Sequence, residues 1–225
     1  MWEGGDAWII GGGPSIPKLF GVPEQVINDV LNGRQPVSAY SPYMESIHSK
    51  HTIGINTAFL LGDWVDFVFF GDSKFFLKFR PQLEKFRGIS VSCSQVALKY
   101  NWVKYLDKDK KKRKGISTNP EQVSWNGNSG CAAISMAYNM GAKRIFLLGF
   151  DMKLDDKNSQ HWHSLYKKTL TTKNPVGRKN LPFSRHLTAF SFIAQDMKRL
   201  GIEIYNVCPE SAIKELPKVN LNEVL

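Results

Sequence analysis

Six short runs along the chain are almost continuously apolar: Ala7–Ile10, Thr52–Ile55, Val65–Phe70, Ile89–Ser92, Ile145–Leu148 and Ile202–Val207. They do not alternate polar with apolar residues. A strand with one wet face shows that alternation, whereas a strand covered on both faces reads as an unbroken Val/Ile/Leu/Phe run. Between the runs lie helical patterns. Ser129–Met140 is rich in Ala and Met and ends at Gly141. Leu187–Leu200 places Leu187, Phe190, Ile193, Ala194, Met197 and Leu200 on one helical face, with Gly201 as a stop. A further helix is expected near Pro23–Leu31 inside an irregular excursion over residues 20–50. The alternation β-α-β defines an α/β fold, a single Rossmann-like domain built on a doubly wound, mainly parallel sheet.

A chain of 225 residues with 42% hydrophobic residues suits one such domain. It carries no apolar run near the ~20 residues of a membrane helix. The start, Met1 to Gly13, lacks the basic region of a secretory signal, so a cytoplasmic location is expected. Cys93, Cys131 and Cys208 are scattered and odd in number. They are expected to be small buried hydrophobes, with no zinc or disulfide framework.

The net charge of +10 is unevenly placed. Residues 98–114 hold eight Lys/Arg and two Asp, or +6, and residues 152–186 hold the same numbers, again +6. The remainder of the chain is therefore at −2. Both basic segments read as loops. The longer one contains Pro175 and Pro182 and is expected to be a mobile lid over a site. The run Lys108–Lys114 is open to three readings: a solvated loop, a phosphate-attracting segment or a nucleic-acid patch.

Ligands of open α/β sheets bind where the strands end at their carboxyl side. The residues there are small, amide-bearing or acidic: Gly11-Gly12-Gly13-Pro14-Ser15, Asn56, Asp72, Asn128-Ser129-Gly130 and Asp151. Gly11–Gly13 admits close approach of backbone to a ligand, and its N–H groups are expected to face phosphate oxygens. Asn128–Gly130 opens a helix and offers a cap with an anion site. Neither the classical dinucleotide fingerprint nor a P-loop is present. His161 and His163 form a His-x-His pair without zinc-like partners nearby, and His186 lies just ahead of the last amphipathic helix, where a general base can act.

Taken together these motifs resemble the bacterial sialyltransferases of glycosyltransferase family 42. The string Ile9–Ile16 is similar to that family's strand and G-x-G-P-S-L turn, and Asn56 to its nucleotide-contacting asparagine. Asn128–Ala133 followed by Gly141–Asp151 resembles its central helix–strand segment. His186, the helix to Leu200 and Ile204–Ser211 resemble its histidine, helix and C-P-x-S ending. The likeness runs from Trp8 to about Leu216. It implies a metal-independent, inverting transferase that needs no cofactor and uses a nucleotide sugar of the CMP class. Gly11–Ser15, Asn56, Asp72, Asn128–Gly130 and Asp151 would then hold the nucleotide. His186 would deprotonate a hydroxyl acceptor. Where that family supplies a tyrosine pair to the leaving phosphate, residues 152–186 carry only Tyr166, so Lys167, Lys168 or Arg185 is expected to share the task.

A second likeness is to the MptE-like 6-hydroxymethylpterin pyrophosphokinases, through the Gly-Pro-Ser turn, Asp66 with Asp72, and Gly149–Met152 followed by His161. It implies pyrophosphate transfer from a nucleoside triphosphate, with Asp72 and Asp151 on Mg²⁺. Stand-alone domains of this kind also occur in bacteriophage genomes, which extends the expectation to a phage-encoded member. A third reading is a non-catalytic protein that keeps a nucleotide pocket or uses its basic loops on nucleic acid.

Overall fold

The computed structural model describes residues 2–166 and 182–225. Its strands are β1 (Asp6–Ile10), β2 (Thr52–Ile55), β3 (Phe67–Phe70), β4 (Ile89–Ser92), β5 (Val103–Tyr105), β6 (Asp107–Lys108), β7 (Gln122–Val123), β8 (Arg144–Leu148) and β9 (Glu203–Asn206). Its α-helices are α1 (Ile16–Leu19), α2 (Glu24–Leu31), α3 (Ser73–Leu83), α4 (Ser129–Asn139) and α5 (Phe183–Leu200). Seven strands form one sheet in the order β5-β4-β3-β2-β1-β8-β9, and every pairing in it is parallel. The chain winds outward from β1 to β5, then crosses back to place β8 on the other side of β1. This is the Rossmann-like, doubly wound α/β fold expected from the apolar runs.

Burial on both faces explains those runs. Along β1, Ala7 and Ile9 pack with α4 and α5, while Trp8 and Ile10 face the opposite layer with Ile16, Ile27 and Tyr40. Ile145 and Leu147 of β8 follow the first set, and Phe146 and Leu148 the second. A third cluster forms where Val68 and Phe70 of β3 meet Phe75, Phe76 and Phe79 of α3. α4 is buried from Gly130 through Ala137, as its run of small residues allows. α5 ends at Gly201, which adopts a left-handed conformation (φ 63°). No described helix is long and apolar enough to cross a membrane. All three cysteines are buried and free.

Several boundaries differ from the sequence reading. β3 starts at Phe67 rather than Val65, because Asp66 is turned to bond β2: its carboxylate accepts the Thr52 N–H at 2.8 Å. β5 carries no apolar run, since it is a three-residue edge strand with one covered neighbour. α3 was not expected, nor was the small β6–β7 pair. α5 begins at Phe183, so Arg185 and His186 lie within its first turn and not ahead of it. The stretch expected as a lid begins by folding onto the core: Trp162 is 2% exposed and His163 3% exposed. Lys167, Lys168 and Pro175 lie outside the described residues.

The turn after β1 meets the end of β8 so closely that side chains are excluded. A Cβ on Gly11 would sit 2.7 Å from the Gly149 carbonyl oxygen, and one on Gly13 would sit 1.8 Å from Asp151 Oδ2. Gly13→Ala should therefore lower stability by about 1–3 kcal/mol, the range for forced overpacking. Urea denaturation measures this, and an unchanged midpoint would show that the turn can open.

Candidate functional site

The carboxyl ends of β1, β2, β3 and β8 converge with residues 160–166 laid across them. Trp162 is the anchor. Its indole Nε1–H donates to the Gly11 carbonyl at 3.0 Å, its backbone N–H donates to Gly12, and its own carbonyl accepts from Tyr40 Oη at 3.2 Å. From α3, Lys78 Nζ donates to the Leu165 carbonyl at 2.6 Å.

Two histidines flank Trp162, and their hydrogen bonds fix opposite tautomers. His161 Nδ1 lies 3.1 Å from the Gly12 carbonyl oxygen, which can only accept, so Nδ1 carries the proton and Nε2 is the basic nitrogen. His163 Nδ1 accepts the Leu165 N–H, so its Nε2 carries the proton and donates to Thr57 Oγ1 at 2.7 Å. The two rings are parallel with centroids 5.4 Å apart. Tyr166 meets both edge-on, and its hydroxyl is 3.4 Å from Thr57 Oγ1. Burial, reinforced by the charges of His161 and Lys78, pushes the His163 pKa down to about 3. Burial also lowers that of His161. The sequence reading assigned this pair no place in the binding site; the signal for it was the tryptophan between them, since a large apolar residue in a basic loop needs a core to enter.

Next to Thr57 stands Asn56, which directly follows β2 with φ 53°, in the left-handed region that asparagine enters at less cost than other non-glycine residues. Its Oδ1 is buried and has no hydrogen-bond partner among the described residues. A left-handed backbone and an orphaned polar atom coincide at one residue.

Other expected site residues are occupied in holding the fold. Asp151 is clasped to the first turn: its Oδ1 accepts the Ser15 N–H at 3.1 Å, and its Oδ2 accepts the Ser15 hydroxyl at 2.9 Å. Cys208 Sγ lies 3.7 Å from Oδ1. Burial raises the Asp151 pKa, and the Ser15 bonds only partly offset this. The N–H groups of Gly11 and Gly13 go to the Leu148 and Gly149 carbonyls, so the phosphate cradle expected of this turn reduces to the Gly12 N–H. Pro14 has no N–H to offer. Asp72 is the N-cap of α3, its Oδ1 accepting the Lys74 and Phe75 N–H groups. Asn128 caps α4 through the Gly130 N–H at 2.8 Å, which leaves Ser129 at the helix start.

The aspartates that pyrophosphate transfer would place on Mg²⁺ are engaged in the fold: both Asp151 oxygens accept from Ser15, and Asp72 Oδ1 caps α3.

The expected catalytic set is divided. Tyr166 belongs to the histidine cluster, whereas Arg185 and His186 stand on α5, with Arg185 Nη2 3.5 Å from His186 Nε2. Burial and the adjacent Arg185 charge push the His186 pKa down to about 4. Arg185 lines a basin of about 420 Å³ with Lys108, Trp125 and Asn126.

No protein-family model matches the chain, and no curated protein matches it by sequence. Solved structures do match in fold. The MAf glycosyltransferase from Magnetospirillum magneticum AMB-1 aligns over 98% of this chain with 14% identity and a TM-score of 0.57. This chain spans only 34% of that protein. The monofunctional α-2,3-sialyltransferase Cst-I from Campylobacter jejuni aligns over 95% of this chain and 79% of its own, with 16% identity and a TM-score of 0.53. The sialyltransferase CstII from Campylobacter jejuni, solved with the substrate analogue cytidine-5'-monophosphate, aligns over 96% of this chain and 85% of its own, with 16% identity and a TM-score of 0.50. The fold is thus shared with glycosyltransferases along nearly the whole chain.

Two outcomes test the electrostatics. Asp151→Ala leaves the half-buried Ser15 donors without their partner and should cost about 1–3 kcal/mol, while Asp151→Asn should cost clearly less. Equal urea midpoints for the two variants would deny the clasp. His163 has a folded pKa below its unfolded value of about 6.5, so the unfolded chain binds the extra proton between pH 6.5 and about 3. Stability should therefore fall as pH drops through that window, by up to about 1.4 kcal/mol per pH unit for one proton. His163→Gln should reduce that slope by about one proton; an unchanged slope would refute the assignment.

Proposed function

We propose that this protein is a glycosyltransferase that takes a nucleotide sugar of the CMP class and transfers its sugar to a hydroxyl acceptor. The observation that carries the reading is Asn56: a residue of left-handed backbone at the carboxyl end of β2, whose buried amide oxygen has no partner among the described residues. An unpaired buried acceptor persists where a ligand offsets its cost. An amino group on a pyrimidine base is the donor such an oxygen lacks. The fold shared with CstII and Cst-I supports the reading, and so does the position of Asn56 at the strand ends where ligands of open sheets bind.

In this proposal the base lies against Asn56. The phosphate faces the Gly12 N–H, the hydroxyl of Tyr166 and the start of α4 at Ser129, where the helix dipole favours negative charge. Those donors stabilise the phosphate as the glycosidic bond breaks. His186, neutral at physiological pH, removes the acceptor hydroxyl proton as that oxygen attacks the sugar carbon from the opposite face, which inverts it. Arg185 beside it disfavours the imidazolium and so keeps the base free. The step as proposed uses no metal.

A thermal-shift panel of CMP, CDP, CTP, ATP and GTP, each with and without Mg²⁺, tests the binding half. CMP should raise the melting temperature without metal, since a ligand at 100 times its Kd adds about 2.7 kcal/mol to the native state. Asn56→Gly should abolish that shift while leaving the ligand-free protein at least as stable, because glycine relieves the positive φ. A shift confined to triphosphates with Mg²⁺ would replace the reading with pyrophosphate transfer. For the chemical half, His186→Ala should lower transfer by about 10²–10⁴ while CMP still binds. Retained transfer in His186→Ala together with its loss in His161→Ala would move the base to His161 Nε2.

A further inference from the structure

The lysine run after β6 has the composition of a solvated loop, yet it is anchored to the fold. Asp109 accepts the Lys111 and Lys112 N–H groups at 2.9 and 2.8 Å and the Ser117 hydroxyl at 2.7 Å. Lys112 is drawn inward to Asp196 of α5, at 2.8 Å. Asp196 is buried, and its other oxygen accepts the Ile116 N–H at 2.8 Å. The Asn126 amide exchanges two bonds with Gly115, and the Ser124 hydroxyl donates to the Lys112 carbonyl. One lysine of the run forms this anchorage, and the anchorage fixes the direction of the rest.

The rest converge. Lys108, Lys110, Arg113 and Lys114 line the 420 Å³ basin together with Arg185 from α5, and Trp125 forms part of its wall. Asp109 is the one acid among the lining residues, which include five cations and so sum formally to +4. Among the described residues none of the five cations is ion-paired with a carboxylate. Trp125 is held by contact with Gly71, where a Cβ would come within 2.1 Å of its ring, and Lys108 Nζ stands 4.5 Å from its centroid. A rigid frame that gathers like charges holds them against their mutual repulsion, and a bound anion offsets that repulsion. The volume is that of a small-ligand pocket, and the wall offers one aromatic ring where a strand of nucleic acid would stack on several.

We propose that this basin is a binding site for a small phosphate-bearing ligand, with a sugar phosphate as the fitting class. The phosphate would meet the Lys/Arg cluster and the sugar ring would lie toward the Trp125 indole. Asn126 and Gly127 of the wall lead directly into Asn128 at the start of α4, and Arg185 precedes His186. If the ligand is the acceptor of the transfer reaction, which rests on the function proposed above, its phosphate anchors it beside the base. The binding itself does not rest on that function.

Isothermal titration of the full chain, with CMP at saturating concentration, tests the site using glucose 1-phosphate and inorganic pyrophosphate as probes. One equivalent of each should bind. Binding should weaken several-fold between about 50 and 200 mM salt, as charge attraction is screened. The double variant Lys110→Gln/Lys114→Gln alters exposed side chains that make none of the anchoring hydrogen bonds, Lys114 contributing only a contact over the Phe192 ring of α5 at 5.0 Å. It should weaken both probes at least about tenfold while keeping the parent urea midpoint and CMP shift. Absence of binding, or binding that the double variant leaves unchanged, overturns the proposal. A short single-stranded DNA that binds through the same lysines more than about 100-fold tighter than pyrophosphate overturns it in favour of a nucleic-acid surface. If CMP fails to bind but the probes still bind through the lysines, the transferase reading falls and the anion site stands.

Discussion

The Asp151 carboxylate sets the architecture of the strand ends. It accepts two bonds from Ser15, contacts Cys208 and lies where any Cβ on Gly13 would have to be. Three loops, after β1, β8 and β9, are thereby drawn to one point. The topology places a crevice between β1 and β8, where the winding reverses, and that is where open α/β sheets usually take a ligand. Here the Ser15–Asp151 bonds tie its two sides together. Backbone bonds from Gly11 and Gly13 to the β8 end add to this, and the Trp162 indole bonds to the Gly11 carbonyl. What remains for a ligand lies toward β2, where Asn56 carries the unpaired oxygen.

The same logic governs the charges. A buried aspartate is stable only if its oxygens are bonded. Asp196 meets that requirement with Lys112, Arg199 and the Ile116 N–H, which pins a self-repelling loop to a helix. The protein thus uses one buried acid to tie its strand ends together and another to aim a group of cations. Neither acid need take part in chemistry. Both determine where chemistry is possible, since the first decides which crevice is open and the second decides which face is basic.

The histidines show how context reassigns residues of one type. His163 is locked as a proton donor to Thr57, and burial keeps it neutral. His161 is turned the other way by a backbone carbonyl and keeps a basic nitrogen. His186 lies apart on α5 beside Arg185. The three imidazoles therefore differ in basicity and neighbours, and the first two also in tautomer, set for His161 by a carbonyl distant in sequence and for His163 by the nearby Leu165 N–H.

The amino-acid sequence by itself determined the sheet, because burial on both faces leaves a mark on each strand: Ala7–Ile10 and Ile145–Leu148 are apolar without alternation since water reaches neither side. It determined α5 through a 3.6-residue period and Gly201, and the small residues of α4 and the first turn through their need for close approach. It named Asn56, Asn128 and Asp151 as residues at strand ends. Only the tertiary structure decided what each does there. Asp151 and Ser15 are 136 positions apart, and Lys112 and Asp196 are 84 apart. A hydrogen bond between such pairs depends on where the folded chain brings them, and local pattern carries no record of it. For that reason a carboxylate that reads as a ligand-binding group is bonded to a distant serine, a lysine run that reads as a loop borders a basin, and the asparagine expected to meet a nucleotide carries a buried, unpaired oxygen just past β2.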